Sequence, residues 1–172
     1  MEAPMINWMY YPKNKQLDDT SRQVVEAFRA IAAAVDSTSH TYKSDEVLAI
    51  VRPGLESAGF EVEKSKHSDD LVSVPVLYGQ NGKIEKSFEA DGYHAASQYV
   101  VEVEAGRGVV NYQFLKDFFE ACTMVGVDKL CIAVRNLYKA SDDFEKVCKF
   151  FDAMYASGRL GIPLSGILII GY

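Results

Sequence analysis

One segment sets the expected architecture of this chain: YVVEVEAGRG, residues 99–108. Tyrosine and valine fill its first half, which favours a β-strand, and the Gly-Arg-Gly sequence at its end predicts a tight turn. A helix is expected from about Asn111 to Val125, and the continuous apolar run Leu130–Val134 then predicts another strand. A strand, a helix and an apolar strand in this order predict a parallel crossover whose second strand is covered on both faces.

Upstream of this segment, alternating apolar and polar residues predict a hairpin. Its strands are Val72–Tyr78 and Ile84–Asp91, and the sequence GQNG at residues 79–82 is the turn signal between them. Gly92–Gln98 predicts a short connection, so the strand that ends at Asp91 is expected to pair antiparallel with the strand that starts at Tyr99. Together with the parallel crossover, this pairing predicts a mixed sheet.

Apolar residues at helical spacing predict helices before and after these strands. The first spans Asp18–Val35, and the second starts at Ser44 as its N-cap and ends at Gly59, with Pro53 predicting a kink or a break near Arg52. Ser141 is the expected N-cap of the last helix. Adding a short strand at residues 60–63 and an apolar strand at residues 166–172, the expected order is α, α, β, β, β, β, α, β, α, β.

Composition favours one soluble domain over residues 1–172, with a helical segment at about residues 1–43 packed on it. The chain is 48% hydrophobic, enough to bury a substantial core. Its net charge of −6 argues against a protein that coats nucleic acid through bulk positive charge, so a nucleic-acid partner would need a local basic patch.

Cysteine use and hydropathy indicate where such a protein would work. Cys122, Cys131 and Cys148 lie in apolar segments without CxxC spacing, which predicts buried free thiols in a reducing compartment. No apolar stretch approaches the roughly 20 residues that a membrane span needs, and residues 1–11 lack the pattern of a signal peptide. We therefore expect a cytoplasmic protein without membrane association.

Three carboxylates stand out as a candidate site. Glu102 and Glu104 share one face of a strand because side chains alternate, and Asp91 ends the expected neighbouring strand. Valines around them indicate partial burial, where a bound cation would remove the cost of unpaired like charges. Carboxylate oxygens without cysteine or histidine favour Mg²⁺, or alternatively Mn²⁺ or Ca²⁺. The same spacing equally fits two glutamates on the solvent face of an edge strand.

The order of elements and the acidic residues resemble the PD-(D/E)xK nuclease superfamily, whose best-known members are restriction endonucleases. Asp91, followed after ten residues by Glu102-Val103-Glu104, is similar to the family's motif. The order of elements from about Ser44 to Val134 is similar to its αβββαβ core. The resemblance implies an α/β, restriction endonuclease-like fold with a central mixed β-sheet flanked by helices.

The resemblance also implies roles for these residues. Asp91 and Glu102 would bind Mg²⁺, and Glu104 replaces the lysine of the motif, as in type II restriction endonucleases with an ExE sequence, where it would contact metal or act as the base. The family often adds a helical glutamate, for which Glu46 or Glu56 are candidates. Glu46 is equally explained as a first-turn residue favoured by the helix dipole.

Residues beyond Glu104 are candidates for contacts with a substrate. Arg107 precedes a helix N-terminus, where a guanidinium and backbone N–H groups suit a phosphate. Asn111 and Lys116 lie where the family sometimes places compensating polar or basic groups, although Asn111 also fits an N-cap and Lys116 a solvated residue. His94, three residues after Asp91, is a further candidate ligand or acid.

These expectations lead to three functional hypotheses. The first is a Mg²⁺-dependent DNA endonuclease of the restriction type, working as a homodimer because two-fold symmetry suits the cutting of both strands. The second is a nuclease-like domain without catalysis that serves as a binding or regulatory subunit, since Glu104 replaces the lysine. The third is an unrelated α/β module whose acidic strand is exposed.

Overall fold

A computed structural model of the protein describes residues 5–172, so the expected domain boundary at residue 1 lies outside the described residues. The α-helices are α1 Asp19–Ala30, α2 Ala32–Val35, α3 Ser44–Ser57, α4 Gln113–Thr123 and α5 Asp143–Ser157. The strands are β1 Asn7–Tyr11, β2 Glu61–Val62, β3 Val72–Tyr78, β4 Ile84–Ala90, β5 Gly92–His94, β6 Tyr99–Val103, β7 Lys129–Val134, β8 Leu137–Tyr138, β9 Ser141–Asp142 and β10 Gly166–Gly171.

The central sheet is mixed, as predicted, and has the strand order β1-β10-β7-β6-β5-β2. Strand β7 pairs parallel with both β6 and β10. At the two sides of this parallel unit, β1 pairs antiparallel with β10, and β5 pairs antiparallel with β6. The middle strands are apolar because both of their faces are covered. The predicted passage from β6 through a helix to a parallel β7 is confirmed.

Helices cover both faces of the sheet. On one face, α1 and α3 pack through Phe28 and Val51 onto Val101 and other buried side chains. On the opposite face, α4 and α5 pack through Phe118 and Phe151, whose ring centroids lie 5.5 Å apart. The expected α/β fold with a mixed central sheet flanked by helices is therefore confirmed at this level of description.

Several local predictions are wrong. The segment 18–35 contains two helices rather than one, separated at Ile31. Pro53 does not break α3, which continues to Ser57, so the expected break is wrong, while a kink near Arg52 stays a prediction. Gly54, the next residue, packs so closely on α1 that a Cβ there would be 2.9 Å from the Ala27 Cβ. The cap of α5 is Asp142, which accepts a hydrogen bond from the Glu145 N–H at 2.8 Å, rather than Ser141.

Strand β1 was not expected from the sequence. It pairs antiparallel with β10 along its whole length, so the segment before α1 belongs to the central sheet and is not purely helical. Strand β1 contains Tyr11, a buried residue whose hydroxyl donates to the Cys148 carbonyl at 2.7 Å. This side chain ties the edge of the sheet to α5.

The hairpin is confirmed, but it forms a sheet of its own. Strands β3 and β4 pair antiparallel, and neither is part of the central sheet. The expected connection at residues 92–98 was wrong in part, because it begins with strand β5, which pairs antiparallel with β6. The chain thus passes from the hairpin into the central sheet at Asp91, the residue between β4 and β5.

All three thiols are free, as predicted; Cys131 and Cys148 are buried, whereas Cys122 is only partly buried. Within residues 5–172, every helix is too short or too polar to cross a lipid bilayer.

Candidate acidic active site

Asp91 is fixed against strand β6 by the backbone. Gly92 pairs with Val101, and continuing that antiparallel register by one residue puts Asp91 opposite Glu102. The Asp91 carboxylate accepts a hydrogen bond from the Val103 N–H at 2.8 Å, and the Asp91 carbonyl accepts one from the Glu63 N–H at 2.8 Å. Asp91 therefore occupies the position next to both glutamates that the sequence predicted.

Glu102 and Glu104 lie on the face of the sheet that α4 covers. Val101 and Val103 belong to the core under α1 and α3, whereas Val100 belongs to the core under α4 and α5. Because side chains alternate between the two faces of a strand, the side chains of both glutamates lie on the same face as that of Val100. Because β6 is an interior strand and Glu102 is 8% exposed, the alternative that these glutamates face solvent on an edge strand is wrong.

A fourth carboxylate, Asp117 of α4, completes the cluster and was missed in the sequence. It is 5% exposed and lies close enough to Glu104 for the charge of Glu104 to act on it. Its Oδ2 atom is buried without a hydrogen-bond partner. The available signal was its place between Phe114 and Phe118 on the buried face of the helix, where a carboxylate is costly without a function or partner. We call Asp91, Glu102, Glu104 and Asp117 the acidic cluster.

Charged neighbours flank the acidic cluster on two sides. Glu63 is buried beside Asp91 and forms an ion pair with Lys66. Lys116, at the exposed side of α4, pairs with Glu120 at 3.4 Å, and its charge acts on Glu104 and Asp117. Lys116 is thus a cation of α4 whose charge reaches the carboxylates of Glu104 and Asp117.

Burial raises the pKa of every carboxyl in the acidic cluster, and repulsion from other carboxylates adds to the shifts of Asp91, Glu102 and Asp117. Burial and then the charge of Glu63 raise the pKa of Asp91 to about 6, although the Val103 N–H opposes this shift. Burial and the charge of Glu104 raise the pKa of Asp117 to about 9. Burial and the charges of Asp91 and Asp117 hold the pKa of Glu102 well above its usual range, and burial also raises that of Glu104. The cluster therefore retains protons at neutral pH when no cation is bound.

The donor chemistry of the cluster fits a hard divalent cation. All its ligand atoms are carboxylate oxygens, and the unpartnered Oδ2 of Asp117 is a buried acceptor that an ion would satisfy. Among the described residues, however, no three His, Cys, Asp or Glu side chains are already arranged to hold a metal ion. Metal binding would therefore need the carboxylates to move toward one another.

The other candidate ligands serve local structure. The Glu46 carboxylate accepts a hydrogen bond from the Lys43 N–H at 2.7 Å and so caps α3. Glu56 is exposed near the end of the same helix. His94 accepts a hydrogen bond at Nδ1 from the Ser97 N–H at 3.1 Å, and its ring packs on Phe60 with centroids 5.2 Å apart.

The candidate substrate-binding residues surround the turn after β6. Arg107 is exposed and lines a cavity of about 840 Å³ that Glu104 also lines. Asn111 is exposed, and the residue that caps α4 is Tyr112 rather than Asn111. Arg107 and Asn111 together line a second cavity of about 500 Å³, whereas Lys116 lies on α4, where its charge acts on Glu104.

Comparisons of this chain with protein-family models, with curated proteins and with solved structures find no match.

Proposed function

We propose that this protein is a Mg²⁺-dependent endonuclease that hydrolyses phosphodiester bonds in DNA, with the acidic cluster as its active site. The observation that supports this proposal is the position of Asp91, immediately before β5, opposite Glu102 of β6, together with a buried and unpartnered oxygen of Asp117. Four carboxylates with raised pKa values form an unstable arrangement unless protons or a cation neutralise them. A divalent cation provides that neutralisation while leaving carboxylates available for chemistry.

Asp91, Glu102 and Asp117 would hold Mg²⁺, with Mn²⁺ as a substitute. The bound ion would offset the charge of the phosphate and make an attacking water more acidic. Glu104 is suited to accept the proton of that water because it is half-buried and its pKa is raised toward neutrality. It replaces the lysine of the PD-(D/E)xK motif, which in this proposal gives Glu104 the role of the base.

Lys116 would supply the positive charge that the motif lysine otherwise provides. Its ammonium group is exposed on α4, and its charge acts on Glu102, Glu104 and Asp117. A cation at this place stabilises the negative charge that develops on a phosphate during hydrolysis. Arg107, which lines a cavity together with Glu104, would bind a neighbouring phosphate of the DNA backbone. A homodimer with two such sites would cut both strands of a duplex.

Incubation of supercoiled plasmid with Mg²⁺ or Mn²⁺ tests this proposal. We expect nicked and linear products with the wild type and loss of cleavage with Asp91→Asn and with Glu102→Gln. Glu61→Gln is the matched control, because Glu61 is an exposed carboxylate on β2, a strand adjacent to the cluster. Equal cleavage by the wild type and both cluster variants would overturn the assignment, because a contaminating nuclease would then explain the products.

The replacement of a lysine by Glu104 favours a second candidate function, a nuclease-like domain that binds DNA without cutting it. This function predicts DNA retention in a gel-shift assay together with an intact plasmid at every metal concentration. Isothermal titration with Mg²⁺ separates the two proposals further. Only the enzyme requires Mg²⁺ binding, and the Asp91→Asn substitution should abolish that binding.

A further inference from the structure

The cavity of about 840 Å³ lies at the carboxyl ends of two adjacent parallel strands. Residues 104–107 follow β6 and residues 135–139 follow β7, and both segments line it, opposite the start of α3. Ligands of open α/β sheets bind at this edge, because loops from neighbouring strands diverge there and leave a crevice. The volume falls within the range that small-molecule sites occupy, about 300–1,000 Å³.

Four cationic side chains line this cavity: Lys43, Arg107, Arg135 and Lys139. Across residues 5–172, none of the four takes part in an ion pair. The acidic residues of the lining are Asp45 and Glu104, so positive groups are in excess. This concentration of unpaired positive charge is unexpected in a chain with a net charge of −6. It indicates an anionic ligand.

Arg135 is the least exposed of these cations, at 7%. Its guanidinium donates a hydrogen bond to the Tyr42 carbonyl and lies 5.1 Å from the centroid of the Tyr138 ring. The charge of Arg135 also acts on the buried Asp143 carboxylate, but the two groups form no ion pair. Because a buried charge is costly unless it is closely paired, the guanidinium has capacity to bind an anion that enters the cavity.

Tyr138 forms one wall of the cavity and is held by Gly106. A Cβ at Gly106 would lie 2.4 Å from the Tyr138 Cε2, so only glycine allows the ring to lie against the turn after β6. The Lys139 ammonium lies 5.4 Å from the centroid of the same ring. The turn after β6 and the loop after β7 are therefore packed together around the positive groups, which makes the cavity a built feature of the fold.

We propose that this cavity binds a phosphomonoester, carried either by a free nucleotide or by the end of a nucleic acid. Two arginines offer the planar forks that pair with phosphate oxygens, and a terminal phosphate carries more charge than an internal phosphodiester. The cavity also has room for the nucleoside that bears the phosphate. This binding does not depend on hydrolysis by the acidic cluster, but Glu104 belongs to both, so a bound end would lie beside the cluster.

Equilibrium binding in EDTA tests the proposal separately from any cleavage. The probes for isothermal titration are deoxyadenosine monophosphate, citrate and three short single-stranded DNAs with a 5′-phosphate, a 3′-phosphate or hydroxyls at both ends. We expect at least one phosphorylated DNA to bind ten times or more as tightly as the DNA with free hydroxyls. The double variant Arg107→Gln with Lys139→Gln should lose most of that preference, and Arg135→Gln all of it.

The control is the double variant Lys64→Gln with Lys83→Gln, which removes the same charge from exposed positions elsewhere. Its preference for phosphorylated DNA should stay unchanged. If Arg135→Gln fails to fold, the double variant Arg107→Gln with Lys139→Gln, which changes only exposed side chains, still tests the proposal. Tight binding of the mononucleotide identifies a free nucleotide as ligand, and binding of the phosphorylated DNA alone identifies a nucleic-acid end. The proposal would be overturned if all three DNAs bound with equal affinity, or if the control variant lost the preference for phosphorylated DNA to the same extent. It would also be overturned if citrate bound as tightly as phosphorylated DNA.

Discussion

The Asp91 carboxylate accepts a hydrogen bond from the Val103 N–H at 2.8 Å, between the two glutamates of β6. This bond favours the ionised form of Asp91, whereas burial and the charge of Glu63 favour the protonated form and raise its pKa to about 6. Asp117 has no such donor in the described part of the chain, and its pKa is raised to about 9. The acidic cluster therefore loses its protons over a wide pH range, and this behaviour can be measured.

We expect the metal-free protein to lose stability as the pH rises from about 6 to about 9. An unfolded aspartate is already ionised there, with a pKa near 4, whereas folded Asp117 still holds its proton. Unfolding therefore releases protons, so the free energy of unfolding falls with pH, by about 1.4 kcal/mol per pH unit for each proton released. Urea unfolding in EDTA at several pH values measures this slope.

Excess Mg²⁺ should flatten the same pH dependence, because a bound cation replaces the protons that the cluster otherwise needs. The gain in stability from Mg²⁺ should be larger at pH 9 than at pH 6. A metal-free stability that rises between these values would contradict the raised pKa of Asp117.

The variant Asp117→Asn should be more stable than the wild type in EDTA at pH 8. An amide has the shape of a protonated carboxyl, carries no charge to bury and can donate to the Glu104 carboxylate. For a chain of this length each kcal/mol raises the melting temperature by about 2–4 °C. Thermal melts compare it with Asp69→Asn, which changes an exposed carboxylate and should have little effect. A lower melting temperature for Asp117→Asn alone would mean that the ionised carboxylate is already satisfied.

The sequence predicts the centre of this fold better than its edges. Periodicity identifies β6, α4 and β7 because each is long, apolar and bounded by turn residues. Strand β1 was not predicted because its sequence, NWMYY, lacks the alternation of apolar and polar residues that marks a strand. It pairs with β10, which is distant in the sequence, and local patterns do not show such a contact. Pro53 misleads for a similar reason, since packing of α3 against α1 outweighs the local preference of proline.

The candidate site was predictable only in part. Alternation along β6 puts Glu102 and Glu104 on one side, as predicted. The expected pairing of the strand that ends at Asp91 with β6 was wrong, because Asp91 reaches the glutamates through β5, which lies within the expected connection. Asp117 lies on the apolar face of α4 beside Phe114 and Phe118, so helical periodicity could have indicated its burial, but not its proximity to the glutamates on another element. Arg135 was missed because nothing in its sequence neighbourhood shows that its guanidinium is buried without an ion pair.

If the protein cleaves DNA, Lys116→Gln should lower the cleavage rate by at least about tenfold, because removing one group that stabilises transition-state charge typically costs more than that. DNA affinity should change far less, since an exposed lysine contributes only one of many contacts. Lys149→Gln is the matched control, because Lys149 also pairs with a glutamate one turn away on an exposed helix surface. Equal rates for the two variants would exclude Lys116 as the cation of the active site.

Asp18→Ala should destabilise the protein by about 2 kcal/mol, because it removes an N-cap and two further partners. The Asp18 carboxylate accepts from the Ser21 N–H at 2.9 Å and from the Tyr10 hydroxyl at 3.0 Å, and it lies 3.5 Å from the Lys129 ammonium. It thereby ties α1 to strands β1 and β7. Asp19→Ala is the control, since its side chain is 94% exposed and should contribute less than about 1 kcal/mol.

The pH dependence of this difference distinguishes an ionic role of Asp18 from a purely steric one. Burial alone would raise the pKa of Asp18, but the hydrogen bonds from Ser21 and the charge of Lys129 hold it below its ordinary value. A lowered pKa contributes stability above the unfolded value near 4, and that contribution is lost as the pH falls through the folded value. The difference in free energy of unfolding between the wild type and Asp18→Ala should therefore become smaller below pH 4, as measured by urea unfolding. A difference that stays constant with pH would show that the charge of Asp18 contributes nothing to stability.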